Sequence, residues 1–223
     1  MDSIIIPAYN EELRIKDVVL RLSEHLPGKE IVVVCDGVDS TKNIVEEISI
    51  KRSNIKFMNF DRRLGKGGAI IEGFKAAKGD KIGFVDADES VSPEDVKTLF
   101  DFVGKADGII ASRRLKSSKI LVKQPIERRT ASKLFNIFIR LFFGLPFKDT
   151  QCGAKVFKRE AIFDILDELE TRGFEIDVEI LWRLKNKGYK VIEYPITWKH
   201  SEGSKFKLAQ SKSMLISLLK LRY

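Results

Sequence analysis

Three observations predict an α/β fold, a Rossmann-like, mainly parallel sheet with helices on both faces. Short β-branched runs alternate with amphipathic stretches through the first half of the 223-residue chain, the pattern of strands joined by crossover helices. The two most apolar runs, residues 3–6 and 31–34, carry no alternating polar position beyond their first residue, so both faces of each strand need covering. Turn-forming or polar residues follow the strands, and in a parallel sheet such residues gather beyond the carboxyl ends, where ligands bind.

In chain order, residues 3–6 and 31–34 read as buried strands, and residues 55–60, 81–85 and 108–111 as weaker ones. Residues 11–25, 40–50, 67–78 and 93–103 read as the intervening helices. Ser92 before Pro93 places an N-cap hydroxyl and a first-turn proline at the start of the last of these. Residues 125–145 open with Arg128, Arg129 and Lys133 and continue as a helical run rich in Phe and Ile. A strand at 154–157, a helix at 177–187 and a strand at 191–194 follow. Residues 204–223 then alternate Lys with apolar residues at near-helical spacing. With no internal repeat and no linker, one domain over 1–223 is expected.

The charge is divided between the halves. Residues 1–111 carry 16 Lys and Arg against 20 Asp and Glu, net −4, while residues 112–223 carry 24 against 12, net +12. A basic half suits a phosphorylated substrate, an anionic lipid surface or nucleic acid. Cys35 and Cys152 are too few for a disulfide scaffold, and no zinc spacing is present, so reduced thiols in a cytoplasmic protein are expected. His25 and His200 are isolated and read as structural or surface residues, and Trp182 and Trp198 as packing residues. The longest apolar stretch, 134–147, is interrupted by Asn136 and Arg140 and contains Pro146. It falls short of the ~20 residues of a spanning helix.

Four strand ends carry the candidate chemistry. Pro7-Ala8-Tyr9-Asn10-Glu11-Glu12 follows the first, Asp36-Gly37-Val38-Asp39-Ser40-Thr41 the second, Gly65-Lys66-Gly67-Gly68-Ala69 the third and Asp86-Ala87-Asp88 the fourth. The paired carboxylates of Asp86 and Asp88 form either a solvated acidic turn or a site for a hard cation, Mg²⁺ or Mn²⁺, completed by substrate phosphates. The glycine-rich turn either presents N–H groups and the Lys66 ammonium to a diphosphate or is a plain turn. Asp36 and Asp39 either receive a nucleoside or cap the helix that begins near Ser40.

Together with Asp149-Thr150-Gln151-Cys152-Gly153, Asp177-Val178-Glu179, Trp198, Glu202-Gly203-Ser204-Lys205 and the terminal Leu221-Arg222-Tyr223, these motifs resemble glycosyltransferase family 2 and its GT-A fold. Within it they are most similar to the dolichyl-phosphate glucose synthase branch, beside the polyprenyl-phosphate mannose synthases. The resemblance implies inverting transfer of a hexose from a nucleotide sugar, UDP-glucose favoured or GDP-mannose, to a polyprenyl (dolichyl) phosphate. It implies a nucleotide-sugar site at Pro7, Ala8, Tyr9, Glu11, Asp36, Lys66 and Asp86, and a metal on Asp86 and Asp88. The acceptor phosphate is expected at Arg113, Arg129, Ser132 and Gln151, with Asp86, Asp88, Arg113 and Arg129 as the catalytic set. Residues 1–111 would then be the nucleotide-sugar half, and 112–223 the acceptor and membrane-facing half.

Two departures stand out. Cys35 occupies the position where the family usually has the first of two adjacent aspartates. The chain also shows no N-terminal anchor of the kind eukaryotic relatives carry, so peripheral association with the cytoplasmic face of a membrane is expected from amphipathic interfacial helices near 130–145 and 205–223. A phosphate acceptor is mostly ionised near neutral pH, its second pKa being about 6, so no general base is required. The alternatives are the same fold acting on a soluble phosphorylated or polysaccharide acceptor, and a basic nucleic-acid-binding module. Aromatic residues on apolar stripes and an acidic strand-end cluster argue against nucleic acid.

Overall fold

The computed structural model describes residues 1–122, 125–201 and 210–221. The expected element beginning at 204 therefore lies partly outside the described residues, as do Glu202-Gly203-Ser204-Lys205 and Arg222-Tyr223.

Strands β1 (Asp2–Ala8), β2 (Glu30–Cys35), β3 (Ile55–Asn59), β4 (Lys81–Val85) and β5 (Gly108–Ser112) fall where the apolar runs predict them. Helices α1 (Ile15–His25), α2 (Thr41–Lys51), α3 (Gly65–Ala76) and α4 (Pro93–Phe102) join them. The chain then makes β6 (Lys119–Val122), α5 (Ile126–Phe143), β7 (Ala154–Lys158) and α6 (Arg159–Phe163), followed by α7 (Ile176–Asn186), β8 (Val191–Pro195), β9 (Thr197–Lys199) and α8 (Gln210–Lys220). Seven strands form one sheet in the order β3-β2-β1-β4-β7-β5-β8. Every neighbouring pair is parallel except the two that β7 makes with β4 and β5.

The two-residue period of the strands sorts the core into two layers. Ile4 and Ile6 of β1, with Ile31 and Val33 of β2, pack against α1, α2 and α4. Ile5, Val32 and Val34 point the other way, onto α3 and the layer that contains α5 and α7. At α4 the Ser92 hydroxyl accepts the Asp95 N–H at 3.1 Å, the cap its sequence predicts.

Where the chain departs from the sequence reading, a local cause is visible. The first helix starts at Ile15 rather than residue 11, because residues 12–14 form a turn whose Arg14 N–H, like that of Ile15, donates to the Glu11 carbonyl; ahead of it Asn10 adopts a left-handed backbone (φ 54°). Its Oδ1 accepts the Val38 N–H at 2.9 Å, and a Cβ on Gly37 would come within 2.5 Å of the same atom. β6 and β9 form a separate two-stranded parallel sheet, in which Ile120 is opposite Trp198. At four and three residues they are too short to leave a periodic signal.

The antiparallel β7 brings a distant loop to the strand ends. Its pairing of Ala154 with Val85 sets the start of β7 at the carboxyl end of β4. The loop before β7 thereby joins the strand-end cluster, and the Asp86 N–H donates to the Gly153 carbonyl at 2.8 Å.

Helix α5 is apolar on two sides. Ile139 and Phe143 are buried in the core, while Leu134, Ile137, Phe138 and Leu141 are 64%, 42%, 37% and 80% exposed. Their spacing of i, i+3, i+4 and i+7 makes one outward stripe. Among the described residues, no helix is long and apolar enough to cross a membrane.

Candidate active site

The strand ends converge on one cleft of about 210 Å³. Pro7, Ala8, Tyr9 and Glu11 enter it from β1, Asp36 from β2, Lys66 from the start of α3, and Asp86 and Asp88 from β4. Arg113 follows β5, Ser132 lies on α5, and Gln151 comes from the loop before β7. Of the residues assigned to the nucleotide-sugar, metal and acceptor-phosphate sites, Arg129 alone is outside this lining. It is exposed in the first turn of α5, where its backbone N–H donates to the Pro125 carbonyl at 3.0 Å.

The floor is an ion network. The Lys66 ammonium lies 2.8 Å from Asp86 Oδ1 and 3.0 Å from Asp177 Oδ2, and Asp177 also pairs with the fully buried Lys155. Burial opposes the Lys66 charge, but Asp177 and Asp86 outweigh it and raise the pKa. Burial raises the Asp86 pKa; Lys66 opposes this, while the neighbouring carboxylates of Asp88 and Asp177 add to it. Burial also acts on Asp177, but there the ammonium groups of Lys155 and Lys66 win and hold its pKa low. Among the described residues, no group of three or more His, Cys, Asp or Glu could hold a metal.

The three glycines of the turn spend their N–H groups on the protein itself. The Gly67 and Gly68 N–H groups donate to the Arg172 carbonyl at 2.9 and 3.4 Å, and the Gly65 N–H to Asp36 Oδ2 at 2.9 Å. A Cβ on Gly67 would meet the Thr171 carbonyl oxygen at 2.4 Å, so Gly67 serves backbone packing, while Gly65, Lys66 and Ala69 line the cleft. Asp36 is a cap as well as a lining residue. Its Oδ2 accepts from Leu64 and Gly65 N–H, so it caps α3, whereas Asp39 accepts the Thr41 N–H at the start of α2. Beside it the Arg63 guanidinium stacks 3.4 Å from the centre of the Tyr9 ring.

On the opposite wall Arg113 is held rather than free. Its backbone N–H and Nε donate to Asp149 Oδ2 at 2.9 and 2.7 Å, and Nη2 to Oδ1 at 2.8 Å. Burial opposes ionisation of Asp149, but the Arg113 guanidinium overcomes it and holds the carboxyl below its ordinary range. Arg114 donates from Nη2 to the Ser132 hydroxyl at 3.1 Å.

Several lining residues were not legible in the sequence. Trp198, read as a packing residue, is buried yet faces the cleft below Arg113, 5.4 Å from ring centre to guanidinium. His200, read as structural or surface, also lines the cleft. Lys155 left one usable signal, a lysine inside an apolar strand, since such a residue is buried only with a partner. Cys35 and Cys152 are free and buried, and burial pushes both thiols up to about 12.

The sequence pattern of glycosyl transferase family 2 matches residues 3–166. The dolichyl-phosphate beta-glucosyltransferase of Saccharomyces cerevisiae is 33% identical over 233 residues, an alignment covering 93% of this chain and 69% of the relative. The polyprenol monophosphomannose synthase of Mycolicibacterium smegmatis is 30% identical, covering 93% and 81%. Glycosyltransferase AglD of Haloferax volcanii is 31% identical over 93% of this chain, which spans 34% of that longer protein. Among solved structures, the glucosyl-3-phosphoglycerate synthase of Mycobacterium tuberculosis, in complex with Mn²⁺, UDP and phosphoglyceric acid, superposes with a TM-score of 0.72 at 19% identity. That likeness covers 99% of this chain and 78% of the other and speaks to the fold. With its GT-A sheet and its match to the family over most of its length, the chain belongs to glycosyl transferase family 2.

Proposed function

We propose that this glycosyltransferase moves a hexose, glucose first among candidates, from a UDP-sugar to a polyprenyl phosphate, with inversion at the anomeric carbon. One observation carries the reading. A single cleft joins a carboxylate floor to an arginine-bearing wall, and that wall is continuous with a helix whose other side is an outward apolar stripe. The relatives named dolichyl-phosphate beta-glucosyltransferase support the lipid acceptor and the choice of glucose over mannose.

The two ends of the cleft divide the work. Tyr9, Glu11 and Asp36 hold the nucleoside. The donor diphosphate lies over Asp86 and Asp88, whose hard oxygens and surplus negative charge fit Mg²⁺ or Mn²⁺. Asp177, the third carboxylate nearby, is paired with Lys66 and Lys155, so Asp86 and Asp88 would hold the ion and the donor's phosphates would supply further oxygens. When bound, the ion supplies charge stabilisation of the departing diphosphate. Lys66 then has both Asp177 and the diphosphate within its compass.

Arg113, fixed by Asp149, together with Ser132 and Gln151 orients the acceptor phosphate; Arg129 at the helix entrance draws the anionic headgroup in from the membrane. An acceptor phosphate oxygen forms the new bond to the anomeric carbon as the bond to the diphosphate oxygen breaks. The nucleoside diphosphate leaves with the electron pair, and no proton has to be removed from the nucleophile. The apolar stripe of α5 rests on the cytoplasmic face of the membrane as a peripheral contact.

The test is a panel of UDP- and GDP-sugars offered with a short polyprenyl phosphate, with the products separated by solvent extraction and weighed. A sugar phosphate lipid in the organic phase is the expected result. Sugar transfer confined to a water-soluble acceptor would overturn it.

A further inference from the structure

A second apolar element lies outside the helices that the membrane reading uses. Strand β6 has all four of its residues exposed, with Leu121 and Val122 at 68% and 50%. Seven of the thirteen exposed large apolar side chains among the described residues fall within residues 120–141, so the apolar surface is concentrated there. The same stretch is strongly basic, since residues 113–133 hold eight Lys or Arg and one acid, Glu127.

Position ties β6 to both the helix and the cleft. Three residues separate Val122 from Ile126, so the end of β6 lies within about 14 Å of the start of α5. On its other side Ile120 is opposite Trp198 of β9, and Trp198 lines the cleft beneath Arg113. β9 in turn is bound to the carboxylate loop, where the Lys199 N–H donates to the Ser90 carbonyl at 3.3 Å and the Ser90 N–H to Asp88 Oδ1 at 2.9 Å.

We infer that β6 is a membrane-contacting strand, inserting Leu121 and its neighbours at the headgroup boundary of an anionic bilayer beside the mouth of the cleft. Three physical reasons favour a lipid surface as the occupant. An exposed Ile-Leu-Val strand flanked by lysines combines apolar insertion with attraction to anionic headgroups. Among the described residues β6 pairs only with β9, so one edge keeps its backbone groups outside any sheet. Such an edge cannot enter the hydrocarbon core but stays hydrated at headgroup depth, which sets a shallow insertion. Finally, the β9 connection puts that depth next to Arg113, where a lipid phosphate would arrive. β6 has this role only if the acceptor is a membrane lipid, as proposed above.

The buried thiols make a clean test possible, since neither Cys35 nor Cys152 is open to labelling. Leu121→Cys carrying an environment-sensitive fluorophore is mixed with vesicles of phosphatidylcholine and phosphatidylglycerol in equal parts. Its emission is expected to shift to the blue, while the same label at Ile50→Cys on α2, 81% exposed, stays unchanged. Leu121→Asp is expected to weaken vesicle binding roughly tenfold. It should leave transfer to a detergent-dispersed short-chain polyprenyl phosphate intact. A silent label at position 121 on a protein that still sediments with vesicles overturns the role of β6 and leaves the lipid-acceptor reading standing. A wild-type chain that ignores the vesicles and makes no lipid product overturns both.

Discussion

The proposed donor and acceptor ends of the cleft are both lined with charge, yet they balance it in opposite ways. On the acceptor side Asp149 meets Arg113 through three hydrogen bonds, and its pKa is held low. On the floor of the cleft burial drives the Asp86 pKa up, with Asp88 and Asp177 adding to it and the ammonium shared with Asp177 opposing it. The difference teaches that one end is complete by itself and uses its ion pair to aim an arginine. The other gathers three carboxylates, Asp86, Asp88 and Asp177, around the ammonium groups of Lys66 and Lys155. A buried pair satisfied on both sides is a rigid positioning device, whereas the surplus of carboxylate over ammonium fits the proposed metal site.

Removing the surplus should have the largest effect. Asp86→Asn is expected to lower turnover by roughly a thousandfold, in the range set by loss of electrostatic stabilisation. It should also abolish saturable Mn²⁺ binding measured without substrate turnover. Unchanged activity and unchanged Mn²⁺ binding would show that the donor end is no different from the acceptor end.

Breaking the acceptor pair should appear as stability. Asp149→Asn leaves the Arg113 guanidinium largely buried beside a neutral amide, at a cost of about 3–5 kcal/mol in denaturant unfolding. The pH dependence follows from the lowered carboxyl pKa. The wild type's advantage is fully present above the unfolded-state pKa of about 3.9 and is lost as pH falls through the lower folded value. The stability gap between wild type and variant is therefore expected to be flat from neutral pH down to about pH 4 and to narrow only below it.

A subtler perturbation displaces Asp86 without removing it. A Cβ on Gly153 would sit 2.4 Å from Asp86 Oδ2, so Gly153→Ala must push the carboxylate aside. Turnover should fall about a hundredfold, as for an ångström-scale misplacement. Circular dichroism and the melting temperature should change little, which separates displacement from unfolding.

The smallest expected effect lies far from the comparison and calibrates it. Ser92→Ala removes the α4 cap and should cost about 1 kcal/mol of stability with activity unchanged.

How much was legible from the residues varies with how local each feature is. The strands β1 and β2 are plain because Ile4, Ile5, Ile6 and Ile31, Val32, Val33, Val34 fill both faces of a doubly covered sheet. The strand-end residues Tyr9, Asp36, Asp86 and Asp88 follow from that, since a parallel sheet collects its carboxyl ends at one edge. β6 and β9 are silent in the sequence because four- and three-residue strands carry no period. The glycine-rich turn is ambiguous there because its local pattern suits an anion as well as it suits a neighbouring carbonyl. Only the approach of Arg172 chooses between them.

The sequence by itself determined the α/β class, the two-layer sorting of the central strands, the strand-end loops and the division of charge between −4 and +12. These rest on periods and compositions contained in a few consecutive residues. The tertiary structure decided that β7 runs antiparallel, that Arg113 is held by Asp149 thirty-six positions away, and that Lys66 pairs with Asp86 and with Asp177, the latter 111 positions away. The physical reason is that a charge or a glycine states what kind of partner it needs. Which partner it finds depends on how distant segments pack, and no short window of the chain contains that.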